Sequence, residues 1–247
     1  MMGLLDWEAL EDRMRSIDRM PHWKSPKSGI EALRSQYHID MWANQPVRVQ
    51  VWIEKDALSG IIEPVCNELD VPFMACRGYV SQSAAWRAYR EYQKAFEAGQ
   101  DTIILHFGDH DPSGIDMTRD NNKRLSWFMA IAQYRNLTLP QRNQLKLKGE
   151  DFNVKGIEVR RLALTWDQIQ EHQPPPNPGK EHDPRFKDYQ AEFGDESWEL
   201  DALDPEVIEE LIRTNVDAIR DMALWNEKEE QLANERETLD EIIRGIE

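Results

Sequence analysis

From residue 47 onward, the sequence predicts a strand-helix-strand order that repeats. Over 47–53, β-branched residues alternate with bulkier or polar ones, as they do in a strand, and Glu54-Lys55-Asp56 ends the pattern. Apolar residues then recur at helical spacing over 57–69, and a short strand is predicted over 71–76. These segments form one β-α-β unit.

The same order continues beyond a turn at 77–79. Ser81 or Ser83 is a candidate cap for the next helix. The further predicted elements are a helix to about residue 98, a strand over 102–107, a helix that begins near 114 and a strand over 156–164. Repeated β-α-β units favour a parallel sheet with helices on its faces. We therefore expect an α/β domain at about 44–170, with a sheet of about four strands.

Helical extensions are predicted on both sides of this domain. Residues 1–43 form an N-terminal helical extension, with helices over 4–20 and 28–42. Clustered prolines predict an exposed loop over 173–184, within a Pro-rich and acidic segment at 171–203. Residues 204–247 form an acidic region that is predicted to be helical throughout 205–245, and to pack against the body, self-associate or bind a protein partner.

The net charge of −16 is distributed unevenly along the chain. Residues 1–180 hold 24 acidic and 23 basic side chains, whereas residues 181–247 hold 22 and 7. A nearly neutral body can present a basic face to phosphates, so the overall charge does not exclude a nucleic-acid substrate. It does disfavour tight, nonspecific DNA binding.

The two cysteines, Cys66 and Cys76, form no C-x-x-C motif, which suits a reducing cytoplasm and argues against a disulfide framework or a Cys-ligated zinc. The first residues lack the basic and apolar stretches of a secretion signal, and no apolar run approaches the roughly 18 residues of a membrane span. We expect a cytoplasmic protein with no membrane partner.

Two acidic clusters follow predicted strands. Glu54 comes directly after one strand, and Asp109 and Asp111 follow another after a single glycine. In an open parallel sheet, ligands bind beyond the C-terminal ends of the strands. Carboxylates that lie close together raise one another's pKa unless a cation compensates, and Mg²⁺ prefers hard oxygen ligands, with Mn²⁺ as an alternative. The spacing therefore predicts a Mg²⁺ site at Glu54, Asp109 and Asp111.

The motifs V-W-I-E-K at 51–55 and G-D-H-D-P-S-G at 108–114 lie two α-β segments apart. The pair resembles the Toprim domain of topoisomerases, bacterial primases and OLD-family nucleases. Its D-x-D-P-x-G form is most similar to the A subunit of topoisomerase VI and its meiotic double-strand-break relatives, and phage-encoded proteins with a similar core also fit. The resemblance covers about 46–165 and implies a Toprim, Rossmann-like fold in a bacterial or phage-infected cell.

The resemblance also implies roles for individual residues. Glu54 would be a metal ligand or a general acid/base, and Asp109 and Asp111 would be metal ligands and catalytic. Glu199 and Asp201, on one side of a predicted extended segment, would complete a second metal site, as in OLD-like nucleases. A solvated acidic segment is an equal alternative for these two residues.

Several polar side chains near the predicted site are candidates for nucleic-acid contacts: Lys55, Ser81, Arg119, Lys123 and Arg124. With Lys146, Lys148, Lys155, Arg160 and Arg161 beyond, the basic residues would form a phosphate track, and a solvated helix face is the equal alternative. His106 is expected to be buried in its strand and His110 to lie behind the metal ligands. The tryptophans, including Trp86 and Trp127, are expected in the core.

The topoisomerase VI type cleaves DNA with a tyrosine from an upstream winged-helix domain, whereas 46 residues precede the first strand here and Tyr37 is the only tyrosine among them. We therefore do not expect a covalent tyrosyl mechanism in this chain alone. We expect a Mg²⁺-dependent enzyme that acts on nucleic-acid phosphodiesters, DNA rather than RNA, and most simply a nuclease. The alternatives are a non-catalytic phage or mobile-element protein that binds DNA or protein on a Toprim scaffold, and a subunit of a topoisomerase-VI-like assembly.

Overall fold

A computed structural model describes residues 20–135 and 154–246. The described helices are α1 (Pro26–Gln36), α2 (Ser59–Glu68), α3 (Gln82–Glu97), α4 (Pro112–Arg135), α5 (Trp166–His172), α6 (Phe186–Phe193), α7 (Pro205–Ile219) and α8 (Met222–Arg244). The described strands are β1 (Val47–Ile53), β2 (Phe73–Ala75), β3 (Asp101–Phe107), β4 (Ile157–Ala163), β5 (Asn177–Pro178) and β6 (Glu196–Ser197). Short 3₁₀ turns lie at Asp56–Leu58 and Leu200–Ala202.

A four-stranded sheet lies at the centre of the larger of two compact units, which holds residues 40–229. Its order is β2-β1-β3-β4, and every neighbouring pair is parallel. The register aligns Ile53 at the end of β1 with Phe107 at the end of β3. The expected α/β fold, with a parallel sheet of four strands flanked by helices, is therefore confirmed.

The strand order creates a crevice between β1 and β3. The chain goes from β1 through α2 to the edge strand β2, and then returns through α3 to β3 on the other side of β1. Because such crossovers are right-handed, the connections on the two sides of β1 cover opposite faces of the sheet. The C-terminal ends of β1 and β3 thus meet at a topological switch point, where α/β folds of this kind bind ligands.

Apolar side chains bury both faces of the sheet. On one face, Trp52 and Ile104 belong to a core cluster that α3 and α4 complete with Tyr89, Leu125 and Met129. Side chains alternate along a strand, so the neighbours of these two residues face the opposite side. There α2 and α7 pack together, and the stripe Ile208, Ile212 and Val216 of α7 is fully buried.

Several predicted boundaries are wrong for local reasons. The helix predicted over 28–42 begins after the Ser25 capping box and ends at Gln36. The helix predicted over 205–245 is interrupted at Arg220 and Asp221, where Gln45 bonds both the amide and the carbonyl of Asp221. The loop predicted over 173–184 contains β5, which pairs antiparallel with β6.

Other sequence expectations meet different outcomes. The helix predicted over 4–20 lies, except for its last residue, outside the described residues. Trp42 and Trp52 are buried as expected. The prediction of a core position is wrong for Trp86 on α3 and Trp127 on α4, because almost half of each side chain is exposed. None of the described helices combines the length and the apolar character needed to cross a lipid bilayer.

The smaller unit contains the described residues before 40 and after 229. Arg34 of α1 forms a two-pronged ion pair with Asp240 of α8, with both bonds at 2.9 Å. Tyr37 donates its hydroxyl to Glu235 at 2.5 Å, and Arg236 donates to the carbonyl of Tyr37. Polar contacts of this kind tie α1 to the end of α8.

Candidate metal centre

The ends of β1 and β3 bring Glu54 and Asp109 together. The Glu54 amide donates to the carbonyl of Phe107 at 2.8 Å, so the parallel ladder continues one step beyond β1. The Glu54 Oε2 atom then accepts the Asp109 amide at 2.9 Å. Glu54, Asp109 and Asp111 are 9, 4 and 2 % exposed, so these predicted ligands lie in the crevice of the switch point and are largely withdrawn from water.

The turn at 108–114 uses the two carboxylate oxygens of Asp111 differently. Its Oδ1 atom accepts the amide of Gly114 and the hydroxyl of Ser113, both at 2.7 Å, and so caps the start of α4. Its Oδ2 atom accepts an ammonium hydrogen bond from Lys180. Gly114 is required here because a Cβ atom would lie 2.2 Å from the Asp109 carbonyl oxygen. Capping therefore leaves one oxygen of Asp111 for a cation.

Arg161 on β4 holds the backbone of this turn. Its guanidinium donates to the carbonyls of Gly108 at 3.0 Å, Asp109 at 2.5 Å and Gly114 at 2.9 Å. Burial lowers the pKa of Arg161 to about 10, although the nearby Glu54, Asp111 and Asp109 carboxylates oppose the shift. The phosphate track predicted for Arg161 is therefore wrong, because its donors are already bonded to main-chain carbonyls.

Burial and mutual repulsion set the acidity of the three carboxyl groups. Burial, reinforced by the charge of Asp109, raises the pKa of Glu54. Burial also raises the pKa of Asp109, against the Leu200 amide and Lys55, which lower it. Burial would raise the pKa of Asp111 too, but hydrogen bonds from Lys180, Gly114 and Ser113 outweigh it and lower that pKa. The ammonium of Lys180 thus stabilises the charged form of Asp111, which it contacts.

Lys55 links the predicted second cluster to the first. Its ammonium lies 2.7 Å from Glu199 Oε2, 3.2 Å from Asp201 Oδ1 and 3.6 Å from Asp109 Oδ1. The structure therefore brings Glu199 and Asp201 to the site, with both side chains almost half exposed. The extended backbone predicted for the two residues is found at Glu199 but not at Asp201, which lies in the 3₁₀ turn Leu200–Ala202.

Residues 177–200, which follow α5, lie against the turn at 108–114; we call this segment the strap. The amide and carbonyl of His110 form two backbone hydrogen bonds with Trp198, at 2.8 and 3.0 Å, and the Leu200 amide donates to Asp109 Oδ1 at 2.9 Å. The sequence pattern did not predict these contacts, which join residues far apart in the chain.

Aromatic rings from the strap and α5 surround His110. The ring centroids lie 4.7 to 6.0 Å from the imidazole, and the rings are those of Trp166, Tyr189, Phe193 and Trp198. Burial, helped by the charge of Arg161, lowers the pKa of His110 to about 4. His110 is thus a neutral packing and hydrogen-bonding group behind Asp109 and Asp111, as predicted.

Most of the side chains predicted to contact nucleic acid already have partners within the protein. Ser81 caps α3 by accepting the Ala84 amide. Arg119 pairs with Asp116 at 2.6 Å, and Arg124 pairs with Asp120 and donates to the carbonyl of Val80. Lys123 also has a partner. Of the more distant candidates, Arg160 pairs with Glu158, while Lys146 and Lys148 lie outside the described residues.

In the described part of the chain, no three His, Cys, Asp or Glu side chains already converge as a formed metal site. The donor set nevertheless fits a hard cation, because the carboxylates of Asp109 and Asp111 are nearly buried and their contacting positive charges come from the flexible side chains of Lys55 and Lys180. Glu54 supplies a third carboxylate with a raised pKa.

Comparisons of the chain with protein-family models, with curated proteins and with solved structures find no match.

Proposed function

We propose that the chain is a Toprim-type, Mg²⁺-dependent enzyme that acts on nucleic-acid phosphodiesters, most simply as a nuclease. One observation carries the proposal. Glu54 and Asp109, at the ends of neighbouring parallel strands, are joined by a hydrogen bond of 2.9 Å in the crevice of the switch point, with Asp111 two residues onward in the same turn. The resemblance of 51–55 and 108–114 to Toprim motifs supports the same function.

Asp109 and Asp111 would hold the metal through carboxylate oxygens. When bound, Mg²⁺ would supply Lewis-acid stabilisation of charge on the phosphate and lower the pKa of a bound water. Arg161 keeps the turn between the two aspartates rigid by bonding its carbonyls. A rigid turn matters because ligands that are already oriented cost less free energy to organise when the ion binds.

Glu54 has two tasks in this proposal. Its Oε2 atom fixes the Asp109 amide, which sets the entry of the turn. Because burial raises its pKa, Glu54 also keeps a proton at a higher pH than an exposed glutamate does, which suits a group that accepts and returns a proton. Glu199 and Asp201, now bonded to Lys55, are the candidates for a second cation.

The experiment incubates supercoiled plasmid and single-stranded DNA with the protein in Mg²⁺, in Mn²⁺ and in EDTA. Wild type should cleave only with metal, and Asp109→Asn should lose roughly a hundredfold or more in rate, since a metal ligand becomes a neutral amide. Asp101→Asn is the matched control, because Asp101 is exposed at the opposite end of β3.

The outcomes separate the candidate functions. Equal cleavage by the wild type and Asp109→Asn would show that this site does not catalyse the cleavage. Stable DNA binding without cleavage in either metal would contradict the nuclease and favour the non-catalytic DNA-binding alternative.

A further inference from the structure

Lys180 of the strap reaches into the site and pairs with Asp111. Its ammonium donates to Oδ2, the carboxylate oxygen that does not cap α4. The pair is asymmetric, because the Asp111 side chain is 2 % exposed and that of Lys180 is 51 % exposed. A nearly buried carboxylate thus takes its counter-charge from a lysine whose side chain is half exposed.

The backbone around Lys180 is fixed although its side chain is exposed. Gly179 donates to the carbonyl of Asp195 at 2.8 Å, and the Lys180 carbonyl accepts the Asp183 amide at 2.9 Å. A Cβ atom at Gly179 would lie 2.4 Å from the Phe186 ring, so the chain is closely packed at this point. The paired strands β5 and β6 hold the same loop from the other side.

The two lysines of the site differ in how firmly they are held. Lys55 is mostly buried, and its ammonium contacts three carboxylates. Lys180 bonds Asp111 from a half-exposed position. A long aliphatic stem on a fixed backbone lets an ammonium move by several ångströms while it stays at the rim of the site.

We propose that Lys180 is an exchangeable counter-cation: it yields Asp111 to a divalent metal and then binds the phosphate group that the metal holds. The inference rests on the proposed function of the same site. Repulsion between an ammonium and a divalent ion drives Lys180 away from Asp111, and a phosphate oxygen at the rim gives it a new anionic partner. Lys180 is then a substrate-binding residue, and the strap is the element that supplies it.

The test measures two affinities in the full chain. Binding of Mn²⁺ alone is followed by electron paramagnetic resonance, without nucleic acid. Binding of a short single-stranded DNA oligonucleotide is followed by fluorescence anisotropy in Ca²⁺, another hard cation that binds oxygen ligands. The variants are Lys180→Gln and Lys187→Gln, which removes the same charge from an exposed position on α6.

Opposite changes are expected for Lys180→Gln. Mn²⁺ should bind about fivefold more tightly, because the competing ammonium is gone, and the oligonucleotide should bind about fivefold more weakly, because a phosphate contact is gone. Lys187→Gln should change neither affinity by more than about twofold.

Three results would overturn the inference. Unchanged or weaker Mn²⁺ binding by Lys180→Gln would do so, and the proposed metal site would still stand if Asp109→Asn lost the Mn²⁺ that the wild type binds. Equal changes in Lys187→Gln would show that the affinities respond only to the overall charge of the protein. Absence of Mn²⁺ binding in every variant, Lys180→Gln included, would overturn both proposals together.

Discussion

At the scale of single residues, Arg161 shows how a charge can serve the backbone instead of a ligand. Its guanidinium donates to the carbonyls of Gly108, Asp109, Gly114 and Leu164, which lie just beyond the ends of β3 and β4 and in the first turn of α4. A charged donor to a part-buried carbonyl is worth more than a neutral one, and a carbonyl left without its donor costs free energy. Arg161 therefore supports the shape of the turn through several carbonyls at once.

Arg161→Met should lower the free energy of unfolding by about 3 kcal/mol, because several carbonyls lose a charged donor at once. Its neighbour provides the control: Arg160 pairs with Glu158 on an exposed part of β4, and Arg160→Met should cost less than about 1 kcal/mol. Urea denaturation of both variants measures the difference. Equal losses would show that Arg161 does not support the turn.

His106 is expected to make the stability of the protein depend on pH. It is fully buried in β3, its Nδ1 atom lies 2.8 Å from the Thr118 hydroxyl, and its Nε2 atom has no partner among the described residues. Burial, with the charge of Arg161, lowers its pKa to about 3. The folded protein therefore keeps His106 neutral, whereas the unfolded chain takes up its proton below about pH 6.5.

Because the unfolded state binds this proton first, stability is lost as the pH falls below about 6.5. His106→Leu should remove that loss, so that between about pH 7 and pH 5 the wild type loses about 2 kcal/mol more than the variant. His22→Leu, at an exposed position, serves as the control. Parallel curves for the wild type and His106→Leu, measured by urea denaturation across this range, would contradict a buried neutral imidazole.

At the scale of elements, the strap shows what local patterns cannot predict. Strand β1 was predicted over the same residues that the structure shows, and β3 to within one residue, because alternation and burial along a strand are recorded in consecutive residues. The contacts of Trp198 with His110 and of Lys180 with Asp111 join positions that no period relates. The meeting of Glu54 and Asp109 was predictable from their places after strands, whereas the position of Lys180 and the contacts of Arg161 were not.

The hydroxyl of Tyr189 joins α6 to the site through His110. It lies 2.9 Å from His110 Nδ1, 2.9 Å from the His110 carbonyl oxygen and 3.1 Å from the Glu196 carbonyl oxygen. Tyr189→Phe keeps the ring and should cost roughly 1 to 2 kcal/mol, because buried acceptors lose their donor. Hydrogen exchange should become faster at the Trp198 and Leu200 amides, which tie the strap to the site.

Tyr37→Phe, in the smaller unit, is the control for the loss of a phenolic hydroxyl and should leave the Trp198 and Leu200 amides unchanged. Unchanged protection of these two amides in Tyr189→Phe would mean that the strap is held without this hydroxyl.

At the scale of the whole molecule, the uneven charge acquires a structural meaning. The acidic C-terminal quarter supplies the helices α7 and α8, and α7 buries an apolar stripe against α2 while its acidic residues remain at the surface. It also supplies Glu199 and Asp201, which lie at the site. The larger compact unit, residues 40–229, therefore contains both nearly neutral and acidic parts of the chain.

The proposed function requires that the acidic crevice between β1 and β3 bind a divalent metal. The most direct measurement is the anomalous difference density of crystals soaked in Mn²⁺, collected for the wild type and for Asp109→Asn. We expect a Mn²⁺ peak in contact with carboxylate oxygens of Asp109 and Asp111 in the wild type, and its loss in the variant. A wild-type crystal with Mn²⁺ bound only elsewhere, or with Lys55 and Lys180 still paired in a site that excludes the ion, would contradict it.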